Sequence, residues 1–250
     1  MLLSYEEQVG PPLLPIGLKG RKVYQVAKNM LLAHAQIYEN YKKMNLKGKV
    51  GLTLTGDFGV PFHGGPSHNH SADQHAARAW NTFHINWILQ PLLDGDWPKM
   101  MSERIPASRL PRFTPAEKEL VRDSVDFVGL MHTNYKLVSY KERQTDIEPE
   151  SFQHDMNVTV IPDWRARQTS AVKQRISKTA QSVFDSLKWV NSVIEESGKE
   201  VPIIFMAGVA GESDAVEDLE KRRRNMADTA MTSDHQKQVM THRNAVKIYN

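Results

Sequence analysis

The sequence predicts an α/β fold. Short apolar, strand-like runs at 49–55, 125–130 and 201–206 alternate with amphipathic helical stretches. Alternation of this kind argues for parallel strands joined by right-handed crossovers. At 250 residues with 40% hydrophobic content, the chain is long enough for one large core and too short for two ordinary domains.

Residues 1–20 carry Gly-Pro-Pro at 10–12, Pro15, Gly17 and Gly20, which reads as a loop lead-in. Residues 22–44 place Val23, Val26, Ala27, Met30, Leu31, His34, Ile37, Tyr38 and Tyr41 at helical spacing. Lys49 to Thr55 then reads as a strand, followed by a Gly/Pro/His loop from Gly56 to His70. Ser71 offers an N-cap for a long helix over 72–93, ending near Gly95. The stretch 96–115 is Pro-rich and irregular, and Thr114-Pro115-Ala116-Glu117 is a capping-box pattern that opens a short helix. Val125 to Leu130 is the second strand. Residues 139–169 are polar and without period, which predicts a long surface loop. Ser170 to Ser197 is helical, with Val172, Ile176, Ala180, Val183, Phe184, Leu187, Val190 and Ile194 on one face and Gly198 closing it. Val201 to Met206 is the third strand. The segment 211–230 is charged, and 233–248 forms a weaker last helix.

Composition excludes several classes. The chain has no Cys, hence no disulfide, Cys-zinc site or thiol nucleophile. No run approaches 18 uncharged apolar residues, so no membrane span is expected. The charge balance, 32 Lys+Arg against 29 Asp+Glu, argues against nucleic-acid binding. Lys221-Arg222-Arg223-Arg224 follows Glu212, Asp214, Glu217, Asp218 and Glu220, a mixed-sign run that suits a solvated helix. No Gly-rich phosphate loop follows a strand, and no cofactor is expected. No signal-peptide pattern opens the chain, so the expected location is cytoplasmic. His63, His68, His70 and His75 cluster in one loop, and imidazoles so placed are possible metal ligands. Their spacing matches no standard motif, so a solvated loop is the favoured reading.

A set of motifs resembles the family 1 glycoside hydrolases, the β-glucosidases, lactase and klotho proteins among them. Tyr24 to Ala35 resembles the helix after that family's fourth barrel strand. Lys49-Val50-Gly51-Leu52 with Pro61 is similar to its fifth strand and exit. Ala76-Ala77-Arg78, Trp87, Pro91-Leu92 and Gly95-Asp96-Trp97-Pro98 resemble the next helix and its ending. Leu110 to Thr114 with Glu117, then Asp126 to Leu130, resembles the run into the sixth strand. The resemblance implies a partial (β/α)₈ barrel built from the segments around strands five to seven, with 1–250 as a single truncated domain.

It also implies what the chemistry would need. Retaining hydrolysis takes two carboxyl groups about 5–5.5 Å apart. The family's acid/base sits in an Asn-Glu-Pro motif, which does not occur in this sequence. Its nucleophile belongs to Ile-Thr-Glu-Asn-Gly at the end of strand seven, where Met206 stands here, allowing a one-residue gap. A thioether cannot form a glycosyl ester. Supporting positions are replaced by Met131, Thr133 and Thr55. Glu212 and Asp214 follow too far along the chain to substitute. The expectation is therefore a catalytically inactive, glycosidase-like interaction subunit whose open barrel edges are covered by a protein partner or a second copy. The alternatives are a β-glucosidase fragment, or a residual sugar-binding module using Phe58, Trp97 and His132 around the old pocket. His34, on an apolar helix face, is read as a satisfied core histidine.

Overall fold

The computed structural model describes residues 22–62, 70–140, 151–161 and 169–207, with side chains of the last segment described from Ala180 to Met206. The predicted loop lead-in at 1–20, the charged segment 211–230 and the last helix fall outside these residues, as do Glu212 and Asp214. The described elements are α1 (Lys22–Lys43), β1 (Gly51–Pro61), α2 (His70–Asn81), a π-helical turn (Thr82–Asn86), α3 (Trp87–Asp94), α4 (Lys99–Arg104), α5 (Pro115–Val121), β2 (Phe127–Tyr140), α6 (Phe152–Met156), β3 (Val158–Ile161), α7 (Thr169–Glu196) and β4 (Ile203–Ala207). No helix among the described residues is long and apolar enough to cross a membrane.

β2 is the centre of the sheet. β1 runs parallel along one edge of it, from Gly51↔Phe127 to Pro61↔Val138. The other edge is shared: β4 pairs in parallel with Val128 to His132, and β3 pairs antiparallel with Leu137 to Tyr140. The α/β reading with parallel strands is thus what the structure shows. α4 forms inside the stretch 96–115 read as irregular, and a π-helical turn interrupts the helix read over 72–93. Two further differences position the site. β1 does not stop at Thr55 but continues to Pro61, because β2 also continues and pairs with it beyond a bulge between Gly56 and Phe58. Gly59 there is a close-approach residue: a Cβ would lie 2.7–2.8 Å from atoms of Trp80. Asn81 seals the contact, accepting from Gly59 N at 2.7 Å and donating to Gly59 O at 3.1 Å.

The second difference corrects the predicted surface loop at 139–169. Its described part forms α6 and β3, and α6 is core. Ser151 caps α6, its Oγ accepting from His154 N at 3.0 Å, and Asn157 closes it at φ +55°. Phe152, 1% exposed, sits among Tyr24, Phe83, His84 and Trp87, with ring centroids 5.2–6.1 Å away. Beside it, Arg109 donates to both oxygens of Asp155, at 2.7 and 2.5 Å, and Tyr24 Oη donates to Oδ2 at 2.6 Å. The Arg109 and Asp155 side chains are 2% and 1% exposed.

α1 forms as predicted, but its buried stripe is rotated from the predicted one. Val23, Tyr24, Ala27, Lys28, Leu31 and Ala35 are buried, whereas Met30 and Ile37 are 46% and 63% exposed. Polar anchors set this rotation. Lys28 Nζ donates to Arg112 O at 2.9 Å and pairs with Glu117 at 2.8 Å. Tyr38 and Lys42 both donate to Asp126, which also accepts from Val50 N at 2.8 Å and so clamps the start of β1 to that of β2. His34, half-buried, donates from Nε2 to Ser124 O at 2.8 Å, as a satisfied core histidine should. The capping box at Thr114 has both of its bonds.

The bidentate pair generates a stability prediction. Removing one partner leaves a charge buried alone, which costs about 3–5 kcal/mol. Asp155→Ala should lose stability on that scale in urea denaturation, and Tyr24→Phe less, about 1.5–3 kcal/mol for a bond to a charged group.

Candidate functional site

In parallel sheets of α/β folds, functional side chains gather at the C-terminal strand ends. Strand parity decides which side chains face which way, since neighbours in a strand point to opposite faces. The register aligns Leu54, Leu130 and Phe205 in one row. All three are buried, so this face lies under the helices. One residue on, Thr55, Met131 and Met206 form the next row and therefore face the opposite, inner side. Thr55 is exposed and the two methionines are half-buried. Three positions separated widely in sequence, each expected at the old catalytic mouth, are thus brought side by side.

Thr133 joins them through Asp57. The bulge sets Asp57 opposite Thr133, whose Oγ1 donates to Asp57 Oδ1 at 2.6 Å, while Lys136 Nζ lies 3.1 Å from Oδ2. The Asp57 carbonyl accepts from Trp80 Nε1 at 2.9 Å. Asp57 is a functional candidate that sequence reading missed, hidden in a stretch scored as loop. The signal that finds it is alternation: Thr53, Thr55 and Asp57 continue one face.

The residues expected around the old pocket are placed as follows. His132 follows Met131 by one residue and so turns to the helix side. It is 8% exposed, and its Nε2 lies 3.0 Å from Ser182 Oγ on α7. Phe58 pairs laterally with Tyr135 and is 6% exposed in the core. Trp97 lies in the connection leaving α3, with its ring on Phe113 at 4.9 Å and its Nε1 donating to Pro111 O at 2.8 Å. The cavity beside Trp97 is lined by neither Phe58 nor His132. The cavity that Trp97 lines, about 420 Å³, is walled by Ile105, Leu110, Phe113 and the Asp96–Lys118 pair, all in the outer connection and α5. Of the proposed metal ligands, His63 and His68 lie outside the described residues. The backbone of His70 opens α2, and its side chain is likewise outside them. No group of three or more His, Asp or Glu among the described residues is placed to hold a metal ion.

Burial lowers the pKa of three described histidines, and most strongly that of His84 and His132. Burial pushes His132 down to about 4, against a smaller upward pull from Asp57. His84 is also pushed to about 4 by burial; it stacks on Trp80 at 4.0 Å, with Nδ1 2.9 Å from Trp80 O. In the unfolded chain each takes up its proton near pH ~6.5. Between there and about pH 4 the unfolded state binds more protons than the fold. Stability is therefore full above that window and falls as the pH drops through it. Urea midpoints should be lower at about pH 5 than at about pH 7.5, and His132→Asn should shrink that difference.

The comparisons bear on the fold. Glycosyl hydrolase family 1 is the family whose model matches, over residues 2–247. Beta-glucosidase 1 of Arabidopsis thaliana is 35% identical over 154 residues, 60% of this chain and 26% of that protein. The human cytosolic beta-glucosidase is 30% identical over 154 residues, 57% of this chain and 32% of its own. The crystal structure of beta-glucosidase 2 from Trichoderma reesei superposes with a TM-score of 0.65 at 24% identity, over 99% of this chain and 53% of that one. The chain thus spans about a third or less of these curated relatives and about half of that solved structure. With a family model matched across nearly its whole length, the chain belongs to glycosyl hydrolase family 1.

Proposed function

We propose that the chain is a β-glucosidase-type half-barrel. In this reading it supplies the scaffold around strands five to seven of such a barrel and does not hydrolyse glycosides by itself. The observation that carries the reading is the row Thr55, Met131 and Met206 across the ends of three parallel strands. Family resemblance puts the nucleophilic carboxylate at the position of Met206. A thioether there carries no charge to meet a developing oxocarbenium ion and no oxygen to bond the anomeric carbon.

Incubation of the purified chain with an aryl β-glucoside should give no release above a heat-denatured control. Met206→Glu alone should give none either, since one carboxylate is not a retaining pair. Turnover by the unmodified chain would overturn the reading.

A second reading, sugar binding without cleavage, is favoured by Asp57, which Thr133 and Lys136 hold at the same strand ends. Calorimetric titration with glucose and cellobiose decides it. Heat that Asp57→Ala abolishes supports the reading, and no heat at about millimolar sugar, an affinity worth some 4 kcal/mol, removes it.

A further inference from the structure

We propose that the cavity beside Trp97 binds a small organic anion, a carboxylate carried on an aromatic or branched apolar body, with Arg112 as its counter-charge. Neither reading above uses this cavity, and none of Thr55, Asp57, Met131 or Met206 lines it. All its lining residues fall between 96 and 118, within the described chain.

Size and walls are the first observation. At about 420 Å³ the cavity falls within the roughly 300–1,000 Å³ range of small-molecule sites. Trp97, Ile105, Leu110 and Phe113, all buried, give it an apolar wall. The wall is held in place before any ligand arrives. Trp97 donates its indole Nε1–H to Pro111 O at 2.8 Å and its backbone N–H to Asp96 Oδ1 at 2.9 Å, so the ring has only apolar surface left to offer. Lys28 Nζ stands 5.4 Å from the centre of the Phe113 ring and donates to Arg112 O at 2.9 Å, which fixes the backbone that carries the Arg112 side chain. A wall ordered in advance lowers the cost of binding.

Charge selects the ligand. Asp96, Arg112 and Lys118 are the charged residues that line the cavity. Asp96 and Lys118 neutralise each other as an ion pair. Glu117, beside Lys118 in the chain, is taken up by Lys28 at 2.8 Å. The Arg112 guanidinium, exposed to solvent, has no hydrogen bond or ion pair among the described residues. The uncompensated charge at the cavity is therefore positive. A guanidinium fork matches a carboxylate with two parallel hydrogen bonds. Ser102, exposed on α4, adds a hydroxyl to the same lining. An apolar wall with one unspent cation favours an acid with an apolar body over a bare anion and over a neutral body of the same shape.

Sodium 3-phenylpropionate, ionised at about pH 7, is the probe. Its effect on the full chain is read by heteronuclear NMR at the Trp97 indole N–H, a signal assigned by its loss in Trp97→Phe. Saturable movement of that signal is expected, with a dissociation constant of about 0.1–1 mM for a ligand of this size. The neutral 3-phenylpropanamide and sodium acetate should each bind at least about tenfold more weakly, since each lacks one half of the recognition. Arg112→Gln should cost a similar factor. Ala107→Trp, which fills the cavity from an exposed lining position, should abolish binding. Arg78→Gln, an exposed arginine of α2 outside the cavity, should change nothing. Circular dichroism confirms that each variant is folded. No movement of the Trp97 signal overturns the proposal. So does equal binding of the amide or of acetate, or an affinity indifferent to Arg112→Gln or Ala107→Trp. A loss in Arg78→Gln equal to that in Arg112→Gln overturns it too, because the effect is then one of overall charge. None of these results touches the half-barrel reading, which stands or falls on glycoside turnover.

Discussion

The buried contact of Arg109, Asp155 and Tyr24 is the constraint on which the helix layer depends. Asp155 belongs to the short helix after β2, Arg109 to the connection after α4, and Tyr24 to the first turn of α1. Three segments that share no local sequence are thereby fixed to one carboxylate. Taking these charges out of water is costly, and the cost is offset only when both carboxylate oxygens and the guanidinium fork are satisfied together. The site is therefore intolerant of partial assembly. Once it forms, Phe152 is delivered against Phe83 and Trp87, and the outer connection closes over α1. Arg104, which donates to Met156 O at 2.7 Å, pins the same helix from a second side.

Beneath that layer the sheet obeys a simpler rule. One residue of parity separates chemistry from packing. Met131 and His132 are adjacent, yet one faces the inner side and the other meets Ser182 on α7. The bulge between Gly56 and Phe58 is where this alternation is reset, and it is also where Asp57 meets Thr133 and Lys136. An extra residue in one strand re-aims the side chains that follow. The family resemblance implied a pocket of Phe58, Trp97 and His132. Geometry places each of them in packing instead.

What the sequence made legible was local. The 3.6-residue period found α1 and α7, and Thr114 with Glu117 announced a helix start whose two bonds are both present. Other features depended on distant partners. Gly56, Asp57, Gly59 and Pro61 look like loop residues until ten residues of β2 lie alongside them. Val158 to Ile161 is a strand because Leu137 to Tyr140 offers it an edge. The rotation of α1 could not be read either: Met30 and Ile37 fit the apolar period as well as Leu31 does, and only Lys28, Tyr38 and Lys42 decide which flank goes inward. Pairing across 18 to 88 residues leaves no periodic trace in a single sequence.

On the half-barrel proposal, the two faces of the sheet also explain how family membership and a changed mouth coexist in one chain. The motifs that carry the resemblance, such as Asp126, Trp87, Pro91 and Gly95, act in the helix layer and at the start of the strands. Asp126 ties β1, β2 and α1 together, and Gly95 at φ +82° ends α3 where a Cβ would meet Lys118 O at 2.5 Å. None of these positions touches the row of Thr55, Met131 and Met206. Substitution in that row leaves the buried rows beneath it intact, because adjacent residues of a strand share a backbone but not a face. The physical demands that preserve the fold and those that would preserve hydrolysis therefore fall on different residues. On the half-barrel proposal the first set has been kept while the second has drifted toward the thioethers and hydroxyls now lining the inner face.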